Sequence, residues 1–67
     1  MSKEMRFFIY LLEQYAHEKG IPSCIVLQNW DEQMVTDYIY GMYELYHSEA
    51  IENAFKDIDM LVSRKKM

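Results

Sequence analysis

Apolar residues recur along this chain at spacings of three and four, the period of helices that bury one face. Met5, Phe8, Ile9, Leu12, Tyr15 and Ala16 lie on one side of a first helix, and Phe7 and Leu11 widen the stripe towards a second neighbour. Gly20 and Pro22 bracket Ile21 and make a strong stop, so this helix is expected from about Ser2, a candidate N-cap, to Lys19. Ser23 is placed to cap a short second helix carrying Cys24, Ile25, Val26, Leu27 and Trp30. No second strand-like segment exists to pair with the Ile-Val run, so a lone strand there would leave its backbone unsatisfied. A third helix, starting at Asn29 or Asp31, aligns Val35, Tyr38, Ile39, Met42, Leu45 and Tyr46, with Gly41 inside it as a site of close approach or a tolerated defect. Ser48 is placed to cap a fourth, where Ile51, Ala54, Phe55, Ile58, Leu61 and Val62 form the cleanest stripe and Glu52, Asn53, Lys56, Asp57 and Asp59 the opposite face. The expected fold is all-α: a single domain spanning residues 1–67, a compact bundle of three main helices and one short helix.

Length sharpens this picture. A chain of 67 residues buries a modest core and has a thin stability margin, which small domains make up with disulfides, a metal or a partner subunit. Cys24 is the sole cysteine, so no internal disulfide forms; a lone thiol suits a reducing compartment, and the cytoplasm is the expected location. Apolar residues make up 51% of the chain and aromatics 15%, the opposite of a disordered composition. No apolar run approaches a membrane span, and the start of the chain does not read as a targeting segment. The net charge of -4 repels phosphate and would draw in a basic partner. The basic run Arg64-Lys65-Lys66 is accounted for as cations complementing a helix C-terminus, so neither nucleic acid nor membrane is expected as a partner.

Candidate chemistry adds little. Cys24 sits among aliphatic neighbours and reads as a small buried hydrophobe. Glu13 and His17 share a helix face, but the helix ends before a second histidine could complete a zinc motif, so no metal or cofactor is expected. Asp57 and Asp59 point to different sides of their helix and do not make an acid–base pair. The expectation is a protein that is not an enzyme; the rival reading is a ligand-binding or enzymatic protein using His47, Ser48 and the Asp57/Asp59 region. A DNA-binding regulator is disfavoured, since the joint between the second and third helices, Gln28 to Glu32, is acidic.

Six tyrosines and one tryptophan are many for so short a chain. Tyr10 and Tyr40 fall off the main stripes and should be exposed, and aromatic side chains with polar tips concentrate at interfaces. Tyr10, Trp30, Tyr40 and Tyr43 are therefore the expected contact residues for a protein partner, and a homo-oligomer is expected.

Several segments together resemble a known family: Lys3-Glu4 before Phe7-Phe8, then Val35-Thr36-Asp37-Tyr38-Ile39, Tyr43-Glu44-Leu45-Tyr46-His47-Ser48, and Asp57-Ile58-Asp59. The order is similar to that of short uncharacterised bacterial proteins defined as a domain of unknown function. There a Val-x-Asp-Tyr-Ile segment leads to Tyr-x-x-Leu-His-Thr, and Asp-Ile-Asp closes the chain. This chain departs at Tyr46, where Leu is usual, at Ser48 for Thr, at Ala50 for Gly, and by extra residues around Asp31–Met34. The resemblance implies Asp37, Tyr38, His47, Ser48 and Asp57 as family-motif positions. Proteins of this kind are often encoded beside a predicted ADP-ribosyltransferase-like toxin, so the resemblance also implies an antitoxin or an accessory partner. Physically, His47 at one helix end and Ser48 as the next helix's cap account for that pair without any further role.

Overall fold

The computed structural model describes residues 1–65, with side chains through Ser63. It is helical throughout, with no strand among the described residues, and measures 31 × 20 × 20 Å. The helices are α1 (Lys3–Lys19), α2 (Ser23–Glu32), α3 (Thr36–Gly41), α4 (Tyr43–Ser48) and α5 (Ile51–Lys65). The all-α bundle is as expected, but the third helix is not one element. Its expected first turn belongs to α2, and its remainder is divided into α3 and α4 at Met42, whose backbone has left helical geometry at φ -88°, ψ 18°. The run Arg64-Lys65-Lys66, read above as a dipole complement, lies outside the described side chains.

Cap chemistry explains where these helices begin and end. Ser2 is the N-cap of α1, its Oγ accepting from the Met5 N–H at 3.1 Å. α1 closes on Gly20, whose left-handed backbone (φ 68°) sends its N–H to the His17 carbonyl while the Ile21 N–H reaches back to Ala16. This pair of bonds is a Schellman motif. The same pair ends α2: the Met34 N–H binds the Asp31 carbonyl at 3.1 Å and the Val35 N–H binds the Trp30 carbonyl at 3.0 Å. Here the left-handed position is filled by a methionine, Met34, at φ 62°. That turn is what separates α2 from α3, and no glycine marks it in the sequence.

Two expected caps are corrected. Pro22, not Ser23, precedes α2, and the Ser23 hydroxyl instead donates to Glu13 at 3.0 Å. Ser48 does not cap α5; it lies in the last turn of α4 and donates to the Leu45 carbonyl at 2.9 Å. Gly41 is not a point of close approach either, because a Cβ built there meets nothing within 4 Å.

α1 is the spine of the core. Phe8, Leu11, Leu12, Tyr15 and Ala16 meet Trp30 of α2, Val35, Ile39 of α3, Tyr46 of α4, and Ala54 and Ile58 of α5. The aromatic contacts are mostly edge-on: Trp30 sits 5.9 Å from Phe8 and 5.6 Å from Tyr15, and Tyr15 sits 5.6 Å from Phe55. The expected stripe of α5 is borne out in full, while Met5, Ile9, Ile25, Tyr38 and Leu45 turn out exposed. Cys24 is exposed too, correcting its expected burial.

Two core tyrosines anchor α5. Tyr15 donates its hydroxyl to Asp59 at 2.5 Å, and Tyr46 donates to Asp57. Burial, then the hydrogen bond to the neighbouring carboxylate and its charge, pushes both phenols well above their ordinary pKa. Lys19 joins the first pair, its Nζ 2.9 Å from Asp59 and 5.3 Å from the Tyr15 ring centre. An aspartate two residues from another on a helix faces a different neighbour, so Asp57 reaches α4 and Asp59 reaches α1.

Candidate partner-binding face

One run of aromatic rings comes to the surface. Tyr10 and Phe7 stand one turn apart on α1, with ring centres 6.4 Å apart. Phe7 presents its edge to Tyr43 at 5.7 Å and to His47 at 6.2 Å, both on α4. Tyr43 and His47 are four residues apart on one helical face and stack nearly parallel, 4.2 Å between centres. Tyr10 is 53% exposed, His47 is exposed, and Phe7 and Tyr43 are half-buried beneath them. The His47 Nδ1 lies 2.8 Å from the Tyr43 carbonyl and 3.2 Å from that of Glu44. A carbonyl only accepts, so Nδ1 carries the proton and a neutral His47 keeps Nε2 as an acceptor.

The structure thus brings together two of the expected contact residues, Tyr10 and Tyr43, with the motif residue His47. It separates the others. Trp30 is fully buried at the centre of the core and cannot touch a partner, a correction whose cause is its place between Phe8 and Tyr15. Tyr40 is partly exposed but leans on Phe8, 5.8 Å away. Of the motif positions, Asp37 and Tyr38 are exposed on α3, Ser48 bonds its own helix, and Asp57 holds Tyr46. Tyr38 and Asp57 both act on the Tyr46 phenol, while Asp37 and Ser48 stand apart from them. Phe7, which links Tyr10 to Tyr43, only widens the stripe of α1 in the sequence; the local signals for this cluster are the three- and four-residue spacings Phe7–Tyr10 and Tyr43–His47.

A separate cleft of about 460 Å³ runs between the end of α1 and α2, lined by Tyr15, Lys19, Ile21, Ile25 and Glu32 among others. It contains neither His47, Ser48 nor either of Asp57 and Asp59. Trp30 lies in its wall, but its Nε1 is shut off from solvent and has no hydrogen-bond partner, so it offers the cleft no donor. No group of three or more potential metal-ligating side chains occurs among the described residues. No described helix is long and apolar enough to cross a membrane.

Comparison with curated proteins and with solved structures returns no match. A family model described as a protein of unknown function, DUF3791, matches residues 6–65, which takes in the aromatic face, both tyrosine–aspartate contacts and all of the motif positions. The chain is a member of the DUF3791 family.

Proposed function

We propose that this protein is a protein-interaction module and that the Tyr10–Phe7–Tyr43–His47 face is where its partner docks. The observation that carries the reading is the continuity of that face: four rings in contact, anchored at their base and open at their tips. Rigid aromatic side chains lose little conformational freedom on binding and contribute a large share of interface energy. A short domain with a thin stability margin also gains from an obligate partner, because binding to the folded state alone shifts the folding equilibrium. The resemblance to short bacterial proteins encoded beside an ADP-ribosyltransferase-like toxin supports an antitoxin or accessory role and directs the search to the product of the adjacent gene.

The test is co-expression with that product and affinity co-purification, repeated with Tyr10→Ala and Tyr43→Ala. A stoichiometric complex, weakened at least tenfold by either substitution, is the expected result. Failure to recover any complex, together with a single-chain mass by light scattering, would sink both the module and the expected homo-oligomer.

A further inference from the structure

We propose that two copies of this chain pair through α2 about a two-fold axis, with Met34 of each copy entering the cleft of the other. Among the described residues Met34 alone combines a side chain with a left-handed backbone, at φ 62°, and that side chain is 82% exposed. A Cβ disfavours this conformation, which glycine adopts freely. Packing of Trp30 and Val35 accounts for the turn but not for a methionine at its tip. A strained residue that its own fold does not use points to a contact outside that fold. Methionine suits such a contact, because its long unbranched side chain adapts to an irregular hollow. The same chain offers the hollow. Ile25, Gln28, Asn29 and Glu32 line the cleft from α2 at spacings of three and four, so they form one strip over two turns of that helix. Ile21 and Ile25, 43% and 49% exposed, stand at the start of the strip, and Met34 follows its end. An antiparallel pair of these helices sets the end of each strip against the start of the other. Each Met34 then meets Ile21 and Ile25 of the other copy, and the axis passes near Gln28 and Asn29, where like residues face each other. Glu32 would come beside Lys19 of the other copy, but Asp59 already holds Lys19 at 2.9 Å, so the match is apolar rather than ionic. Tyr10 stands about 140–180° around α1 from Tyr15 and Lys19, which wall the cleft, so pairing leaves the Tyr10 face free.

The experiment is sedimentation equilibrium of the full chain over a concentration series reaching the millimolar range, with the fold followed by circular dichroism. Few side chains of each copy meet, so the dimer belongs to the weak, exchanging class and should dissociate on dilution through the micromolar range. Met34→Glu and Ile25→Glu should each weaken it at least tenfold with helicity unchanged, since both positions are exposed. Gln28→Cys in a Cys24→Ser chain should give a disulfide-linked dimer on oxidation with diamide, because a residue beside a two-fold axis faces its own copy. Gln14→Cys in the same background, on the solvent side of α1, should not. A single-chain mass at every concentration overturns the proposal. So does a dimer that keeps its affinity in both glutamate variants, one that is lost with Tyr10→Ala, or equal crosslinking of the two cysteines. The docking face is read separately: Met34→Glu should still capture the adjacent-gene product, and Tyr10→Ala should still dimerise.

Discussion

Met34 gives the sharpest physical test of the fold. Its backbone is left-handed at φ 62° and its side chain is 82% exposed, so the position is strained and almost nothing is gained from packing. A left-handed conformation costs a residue with a Cβ about 1–2 kcal/mol. Glycine escapes that cost but has more freedom to lose on folding, by about 0.5–1 kcal/mol relative to alanine. Met34→Gly and Met34→Ala discard the same exposed side chain, so comparing them isolates the backbone. Glycine should come out more stable than alanine by about 0.5–1 kcal/mol, the difference of those two effects. For a domain of this length that is about 2–8 °C in Tm, readable by circular dichroism. The sign decides the matter, because in an ordinary helical or loop position glycine is the less stable of the two. Alanine equal to or above glycine would mean that α2 does not end in a Schellman turn at Met34. Gly20→Ala supplies the calibration: it places a Cβ in the matching turn of α1 at φ 68° and should destabilise by about 1 kcal/mol.

Gly41→Ala should move stability the other way, raising it by about 0.4–1 kcal/mol in urea titration, since φ there is not positive and a Cβ meets nothing within 4 Å. Trp30→Ala should cost about 3–5 kcal/mol, a large part of the total stability of a domain this size, and leave the chain largely unfolded by circular dichroism; a folded variant would return Trp30 to the surface. The raised phenols of Tyr15 and Tyr46 make the fold alkali-sensitive. Below pH about 10 both are protonated in folded and unfolded chains alike; above it only the unfolded phenols ionise, so stability falls by about 1.4 kcal/mol per pH unit for each tyrosine. Tyr46→Phe should halve the slope of urea midpoint against pH between pH 10 and 11.5, and an unchanged slope would exclude the Tyr46–Asp57 contact as its source.

What the sequence disclosed and what it hid follow from which forces act locally. The stripes of α1 and α5 were legible because burial of one face imposes a period on the residues, and Gly20 before Pro22 is a stop readable from two letters. The division of the middle of the chain was only partly legible: Val35, Ile39 and Tyr46 keep helical spacing across the break at Met42, and the break before Val35 falls later than Asn29 or Asp31, where the sequence suggests one. The left-handed turn that causes the first break falls on a methionine, a residue with no preference for it, and is held by the bonds from Met34 and Val35 to Asp31 and Trp30. Tertiary packing of Trp30 and Val35 selects that turn, and packing between distant residues leaves no local signature. The same limit explains Asp57 and Asp59, which look like a solvated face until Tyr46 and Tyr15 arrive from other helices.

The candidate face obeys the same division. That Tyr10 is exposed follows from its place opposite the stripe of its own helix, and that Tyr43 and His47 stack follows from a four-residue spacing. That these belong to one surface is tertiary: α4 packs against α1, so Tyr46 enters the core while Tyr43 and His47 close over Phe7. A neighbour so distant along the chain leaves no trace in local spacing, which is why Phe7 carries no signal of its place in the face. Phe7→Ala should therefore part Tyr10 from Tyr43 and His47 while leaving Tyr10 as exposed as before.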